Sequence, residues 1–358
     1  MKRHAGLFDR ITDFDNLLAA GQAAYRGKRL RSEPARFHYH LEPNLLQLRR
    51  ELLAGTYQPG AYRSFWIHDP KRRLISAAPF RDRVVHHALC RVIEPIFDRT
   101  FIFDSYANRQ GKGTHRALER ATHACRRFGY ALKADVEKFF PSIDHCVLFS
   151  LLSRKLKCRR TLDLLARIIA NSNAQEPAAR YFPGDDLFAP QRRRRGIPIG
   201  NLTSQFFANV MLDPLDHHVK ERMQWPAYVR FADDFLLFAN DKNSLHCALD
   251  ELREFLVPYR LVLQPRKSVV LRVADGVPFL GWRLFPDHRR VRRSTGVRFQ
   301  RRLAELQRDY AAGRIGREAL TASVMSWIGH VKYGDTWGLR RKLFASVRFA
   351  HTRPERAA

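Results

Sequence analysis

The sequence predicts an α+β fold, and three observations carry that prediction. Residues 228–239, YVRFADDFLLFA, place apolar, β-forming runs on both sides of an acidic pair, the pattern of a hairpin. Residues 61–83 alternate apolar and polar side chains around an Asp-Pro turn, the pattern of a second hairpin. Between such strands, apolar residues recur at helical spacing, beginning with Phe8, Ile11, Phe14, Leu17 and Leu18.

Taken in order, 7–30 reads as a helix, followed by the basic cluster Arg26, Lys28, Arg29 and Arg31. A second helix is predicted over 43–54, ended by Gly55. The hairpin pairs 63–68 with 72–77 and carries Lys71, Arg72 and Arg73, with Arg81 and Arg83 just beyond, a charge density suited to phosphates. A helix follows over 84–96. Gly111-Lys112-Gly113-Thr114 is not a P-loop, because Tyr106 stands where the first glycine is required. It reads instead as a loop feeding a helix over 114–127. Residues 130–136 form a buried strand with Asp135 near its end, and 145–172 are helical. Residues 173–195 are loop-like and end in Arg192, Arg193, Arg194 and Arg195, followed by a Gly/Pro turn (196–200) and a helix over 205–215. Beyond the 228–239 hairpin come a helix over 244–255, a short strand over 260–263 and a strand pair over 277–284. The chain is then basic and helical from Arg289, with 17 Lys+Arg against 5 Asp+Glu.

The 358 residues carry 64 Lys+Arg against 35 Asp+Glu, a net charge of +29. Self-repulsion on that scale implies a polyanionic partner, nucleic acid before an anionic membrane surface. No apolar run approaches the roughly 18 residues of a membrane span. The five cysteines are scattered without a CxxC pair, which predicts reduced thiols and a cytoplasmic location.

Chemistry concentrates at Asp135, Asp233 and Asp234. A lone Asp-Asp is usually a solvated turn, and a lone Asp at a strand end usually caps a helix. Here the strands flanking Asp233 and Asp234 are too apolar for a surface hairpin, and Asp135 closes a strand that can lie beside them. Three carboxylates so gathered would repel one another unless a cation sits among them. Two Mg²⁺ ions, with Mn²⁺ as the alternative, would suit in-line nucleotidyl transfer. Lys267, in QPRKSVV, or the basic hairpin could supply extra charge or a proton to the leaving group.

In order, DVEKFFPSID, GIPIGNLTSQFFAN, YVRFADDF, LVLQPRKS and VPFLGWRL resemble the successive motifs of a reverse transcriptase, over roughly residues 60–285. The resemblance implies a right-hand polymerase with fingers, a palm built on an antiparallel sheet, and a helical thumb. It implies Asp135, Asp233 and Asp234 as metal ligands, with the Val136 carbonyl beside them, and Lys267 as general acid. Phe140 matches the steric gate against a ribose 2′-hydroxyl. Arg72 and Arg81 match the triphosphate-binding cations, Ile199 and Gly200 line the dNTP site, and Phe279, Leu280 and Gly281 resemble the primer grip. Arg192, Arg193, Arg194, Arg195, Ser204 and Gln205 are expected at the nucleic acid. The expected domains are an N-terminal helical extension (1–60), fingers (61–129 and 173–210), palm (130–172 and 211–288) and thumb (289–358).

Most reverse transcriptases carry Gln-Gly where this chain has Ile199-Gly200. The form running from Ile199 to Gln205 resembles the enzymes of diversity-generating retroelements, which copy a template RNA into cDNA with errors at adenines. Glutamine can hydrogen-bond near the nascent pair and isoleucine cannot, so geometric checking should weaken. The implied partners are template RNA, the RNA/cDNA hybrid, dNTPs and a small basic oligomeric accessory protein. An orphan or retron-like phage-defence enzyme is the second reading, and a catalytically inactive RNA-binding scaffold the third. The expected absence of a maturase-like or endonuclease extension disfavours a complete group II intron protein.

Overall fold

The computed structural model describes residues 3–68, 72–172, 180–345 and 347–350. Lys71, the first part of the 173–195 loop and the last residues of the basic C-terminal segment lie outside the described residues.

The predicted helix over 7–30 is two helices, Leu7–Thr12 and Phe14–Tyr25. Asp13 separates them, because its side chain accepts the Asn16 N–H at 3.2 Å and starts the second helix. Helices Ser32–Tyr39 and Leu41–Ala54 follow, the latter ending at Gly55 in the left-handed region (φ 71°). The hairpin consists of β1 (Arg63–Ile67) and β2 (Arg73–Ala77), with Arg63 opposite Ala77. Helix Phe80–Asp98 then packs along Phe14–Tyr25.

Helix Thr114–Cys125 leads into β3 (Tyr130–Asp135). The predicted helix over 145–172 is broken into His145–Lys155 and Arg159–Ala170, and Asp144 caps the first by accepting the Cys146 and Val147 N–H groups at 2.9 and 3.0 Å. Helix Leu202–His217 continues into a π-helical turn, His218–Arg222. It precedes β4 (Ala227–Phe231) and β5 (Asp234–Ala239), and helix Lys242–Leu256 follows. The predicted strand over 260–263 does not form. Arg260 is left-handed (φ 56°), and only an isolated bridge joins Leu263 to Val136. The strand lies further on, as β6 (Val269–Arg272). β7 (Val277–Phe279), β8 (Trp282–Leu284) and β9 (Arg289–Val291) make a separate antiparallel sheet, and helices Arg293–Ala311, Arg317–Val331 and Trp337–Ala345 complete the description.

The central sheet is antiparallel in the order β4-β5-β3-β6 and is covered on both faces. Leu132, Ala134, Phe235 and Leu237 point into the large core, which includes Phe206, Phe207 and Leu252. Ala131, Val229, Leu236 and Phe238 point the other way, onto Leu118, Ala121 and the β7–β8 residues Phe279 and Trp282. Double burial explains why β5 reads as an unbroken apolar run rather than an alternating one. Phe235, Leu236, Leu237 and Phe238 are all fully buried, each contributing about 1.5–3 kcal/mol, and they anchor the acidic strand end. No helix among the described residues is long and apolar enough to cross a membrane.

Candidate active site

The sheet registers assemble the acidic centre. Asp135 ends β3 directly opposite Asp234 on β5. Phe231 pairs with Asp234, so the two-residue turn is Ala232-Asp233, and Asp234 is already in the strand rather than at the tip as the sequence suggested. Ala232 takes a left-handed φ of 54°, a conformation glycine adopts more cheaply, immediately before Asp233. The buried Val136 donates its N–H to the Asp233 carbonyl at 3.3 Å. Gln264 N–H donates to the Asp135 carbonyl and Glu137 N–H to the Val262 carbonyl, both at 2.8 Å. These bonds staple the segment carrying Lys267 alongside Asp135, and Lys267 Nζ donates to Asp135 Oδ1 at 2.5 Å.

Two lysines therefore hold two of the three carboxylates. Lys133, two residues before Asp135 on the same face of β3, donates to both oxygens of Asp234 at 2.7 and 2.8 Å. Burial nevertheless outweighs that attraction and pushes Asp234 up to about 6, with repulsion from Asp135 and Asp233 adding to it. Asp233 is raised as well, first by burial and then by Asp135, while Lys267 and Arg73 oppose the shift. Among the described residues, no three acidic, histidine or cysteine side chains already close on one point as a finished metal cage does. The donor set nonetheless fits a hard divalent cation: three oxygen-bearing groups crowd closely enough to disfavour one another's charge.

The other predicted site residues fall around this centre in different ways. Phe140 lies in the short helix Phe139–Ser142, half-buried against Phe139, and its carbonyl accepts the Ile197 N–H at 3.0 Å. The next stretch is fastened to β2: the Ile199 carbonyl accepts the Ser76 N–H at 3.1 Å, and Asn201 bonds both Ala78 N–H and the Ser76 carbonyl. Gly200 has φ 113°, a conformation that favours glycine, and a Cβ there would lie 3.0 Å from Ile75 Cγ2, which would have to give by a few tenths of an ångström. Leu280 and Gly281, with φ 47° and 86°, form the two-residue turn between β7 and β8. Phe279 is buried, and its ring centre lies 5.9 Å from Lys133 Nζ, which brings this hairpin beside the acidic centre.

The arginines redistribute. Arg72 stacks over Trp66 at 4.2 Å, and Arg81 is held by Glu51 at 2.5 Å. Arg73, which the sequence placed in the basic hairpin but not at the triphosphate, is the hairpin cation whose charge acts on Asp233. The four-arginine run is not a uniform solvated patch. Arg193 is 7% exposed and pairs with Asp185 and Asp144, Arg192 pairs with Asp186, and Arg194 donates to the Ala170 carbonyl at 3.1 Å. Arg195 pairs through its backbone with Asp144. Ser204 is buried in helix Leu202–His217, whereas the adjacent Gln205 is exposed.

Lys133 was missed, although a lysine inside an otherwise apolar strand was the available signal. A cavity of about 840 Å³ lies between β1–β2, the N-terminal helices and Gly200-Asn201. Lys28, Arg31, Arg63 and Arg83 line it against the single acid Glu33. Its histidines add no charge at neutral pH: burial lowers His86 to about 3 and His87 to about 4.

The model of the family described as reverse transcriptase (RNA-dependent DNA polymerase) matches residues 68–284. Protein YkfC of Escherichia coli (strain K12) is 26% identical over 277 residues, covering 66% of this chain and 70% of that protein. The group II intron-encoded protein LtrA of Lactococcus lactis subsp. cremoris is 26% identical over 184 residues, covering 50% of this chain and 28% of that protein. Among solved structures, apo telomerase from Candida tropicalis is matched at a TM-score of 0.45 and 10% identity, over 70% of this chain and 52% of that one.

Proposed function

Because the chain belongs to the reverse transcriptase (RNA-dependent DNA polymerase) family, we propose that it copies an RNA template into cDNA from dNTPs, using the centre at Asp135, Asp233 and Asp234. The observation that carries this reading is the register of β3 on β5, which brings together carboxylates from distant parts of the chain, with the Arg73 charge acting on Asp233. Asp135, Asp233 and Asp234, with the Val136 carbonyl, are the groups that would hold two Mg²⁺ ions. Such ions lower the pKa of a primer 3′-hydroxyl and neutralise the triphosphate.

The chain's own residues supply the rest. Arg73, with Arg72 beside it, meets the triphosphate. Lys267, already within hydrogen-bonding distance of Asp135, delivers a proton to the leaving pyrophosphate. The Phe140 ring excludes a 2′-hydroxyl, and the Leu280-Gly281 turn supports the primer end. The cationic cavity under β1–β2 accommodates the template backbone. In this reading 61–129 and 173–210 are fingers, 130–172 and 211–288 palm, 289–358 thumb, and 1–60 an N-terminal helical extension.

The finer proposal, an error-prone enzyme of the diversity-generating type with a basic accessory protein, rests on the Ile199–Gln205 sequence. Similarity to LtrA, a group II intron-encoded protein, favours a second reading, a reverse transcriptase nearer to the intron-encoded enzymes. Primer extension on an RNA template with Mg²⁺ and dNTPs, with Asp233→Asn as control, tests both. Product rich in errors at template adenines supports the diversifying type. Accurate product supports the second reading. Synthesis that survives Asp233→Asn refutes the assigned centre.

A further inference from the structure

Directly behind the catalytic turn lies a charge that the polymerase reading does not use. Arg230 is wholly buried on β4. Its five N–H bonds all find acceptors. Nε donates to Asp216 Oδ1 at 2.7 Å, and Nη2 to Asp216 Oδ2 at 2.6 Å and Ser105 Oγ at 2.9 Å. Nη1 donates to Asn209 Oδ1 at 3.2 Å and to the Ala232 carbonyl at 3.1 Å. Asp216 also accepts the Tyr228 hydroxyl at 2.8 Å. The backbone of Arg230 is fixed too: its N–H donates to the Asp104 carbonyl, and its carbonyl accepts the Tyr106 N–H, both at 2.9 Å.

Four of the five bonds anchor the guanidinium to helix Leu202–His217 and to Ser105. The fifth reaches the residue whose left-handed backbone sets the direction of Asp233. On the other side, the Asp233 carbonyl accepts the Val136 N–H. The turn is thus held between β3 and an immobilised guanidinium. A buried ion pair is weak evidence for stability, since an apolar pair can often replace it without loss, so its geometry is the informative part. Lysine would keep the charge opposite Asp216 but cannot present a rigid fork to four acceptor groups at once.

We propose that Arg230 is a positioning residue, fixing the Ala232-Asp233 peptide so that the Asp233 carboxylate is aimed at the metal-binding point before any metal arrives. This role rests on the metal-assisted polymerase reading above. The test uses Arg230→Lys and the paired Arg230→Met/Asp216→Leu, which removes both charges together. Melting in EDTA, the Mg²⁺ dependence of the melting temperature, and kcat and KM for dNTP are measured for each.

Cooperative melting with a half-saturating Mg²⁺ concentration raised about tenfold or more is expected, with kcat falling by at least as much and KM for dNTP moving much less. A cooperatively melting variant with the wild-type Mg²⁺ midpoint overturns the proposal, whatever its melting temperature, because a merely structural residue would change stability alone. If the paired variant does not fold, the lysine variant decides. The Mg²⁺ midpoint is read without synthesis, so a wild-type protein that binds Mg²⁺ but makes no cDNA refutes the polymerase reading, while the shift of the variants' midpoints still decides the role of Arg230.

Discussion

Asp234→Asn should make the metal-free protein more stable while abolishing its synthesis. In the folded chain burial pushes this carboxyl up to about 6, against an ordinary value of 3.8. The folded state therefore binds the proton more tightly than the unfolded state, and ionising Asp234 at neutral pH works against folding. At 1.36 kcal/mol per pH unit, the gap corresponds to about 3 kcal/mol, an upper limit because the side chain retains 21% exposure. Asparagine mimics the protonated acid and escapes that cost. At about 2 °C or less per kcal/mol for a chain of this length, the melting point should rise by a few degrees. The assay is thermal unfolding in EDTA from neutral pH down to about pH 4. The stabilisation should be full above pH 6, shrink as wild-type Asp234 takes up its proton between about 6 and 4, and vanish below that window. A variant no more stable than wild type at neutral pH, or a difference indifferent to pH, refutes the reasoning. Adding Mg²⁺ should reverse the order, since only wild type keeps the third carboxylate.

Phe140→Ala should reduce discrimination of dNTPs against rNTPs by at least about tenfold, and an unchanged ratio removes the gate from Phe140. Arg73→Gln should raise KM for dNTP by roughly 10- to 150-fold, the equivalent of one charge-assisted hydrogen bond, whereas Arg81→Gln should change it little because Glu51 holds that side chain. If the larger effect falls on Arg81, the assignment is reversed. Ile199→Gln should lower the error rate opposite template adenine, as read by sequencing the cDNA. RNA affinity should fall steeply and linearly on a log–log plot against salt, given the net charge of +29, and a flat response argues against backbone binding.

The acidic centre was legible because its signal is local and its alternatives are costly. Two adjacent aspartates between runs such as Phe235–Phe238 cannot be a surface turn, and Asp135 ends a strand of the same kind. The basic hairpin was legible to within one residue at each strand end. Which arginine serves the centre was not, because Arg72 and Arg73 are neighbours and strand phase depends on pairing that no local pattern reveals. Lys133 and Arg230 were passed over for a related reason. Each sits at an inward position of a strand read for its apolar character, and its partner lies far along the chain, in Asp234 for one and across Asp216, Asn209 and Ser105 for the other. The helix breaks at Asp13 and after Lys155 interrupt segments whose apolar spacing continues on both sides, and periodicity does not register a capping side chain.

The central position of β3 also bears on how the chain is made. Its hydrogen-bonding partners on both sides, β5 and β6, are encoded later, and Asp135 waits 99 residues for Asp234. At about 5–20 residues per second, a ribosome leaves β3 with two open edges for roughly 5–20 s. Ala131, Leu132 and Ala134 are apolar enough to pair with another nascent chain during that interval. Helices Phe80–Asp98 and Thr114–Cys125, already synthesised, are the surfaces available to shelter the strand until β5 arrives. The step that completes the acidic centre thus also closes the first of β3's two open edges, leaving the other to β6, so substitutions that slow β5 pairing should lower soluble yield well before they alter the finished fold.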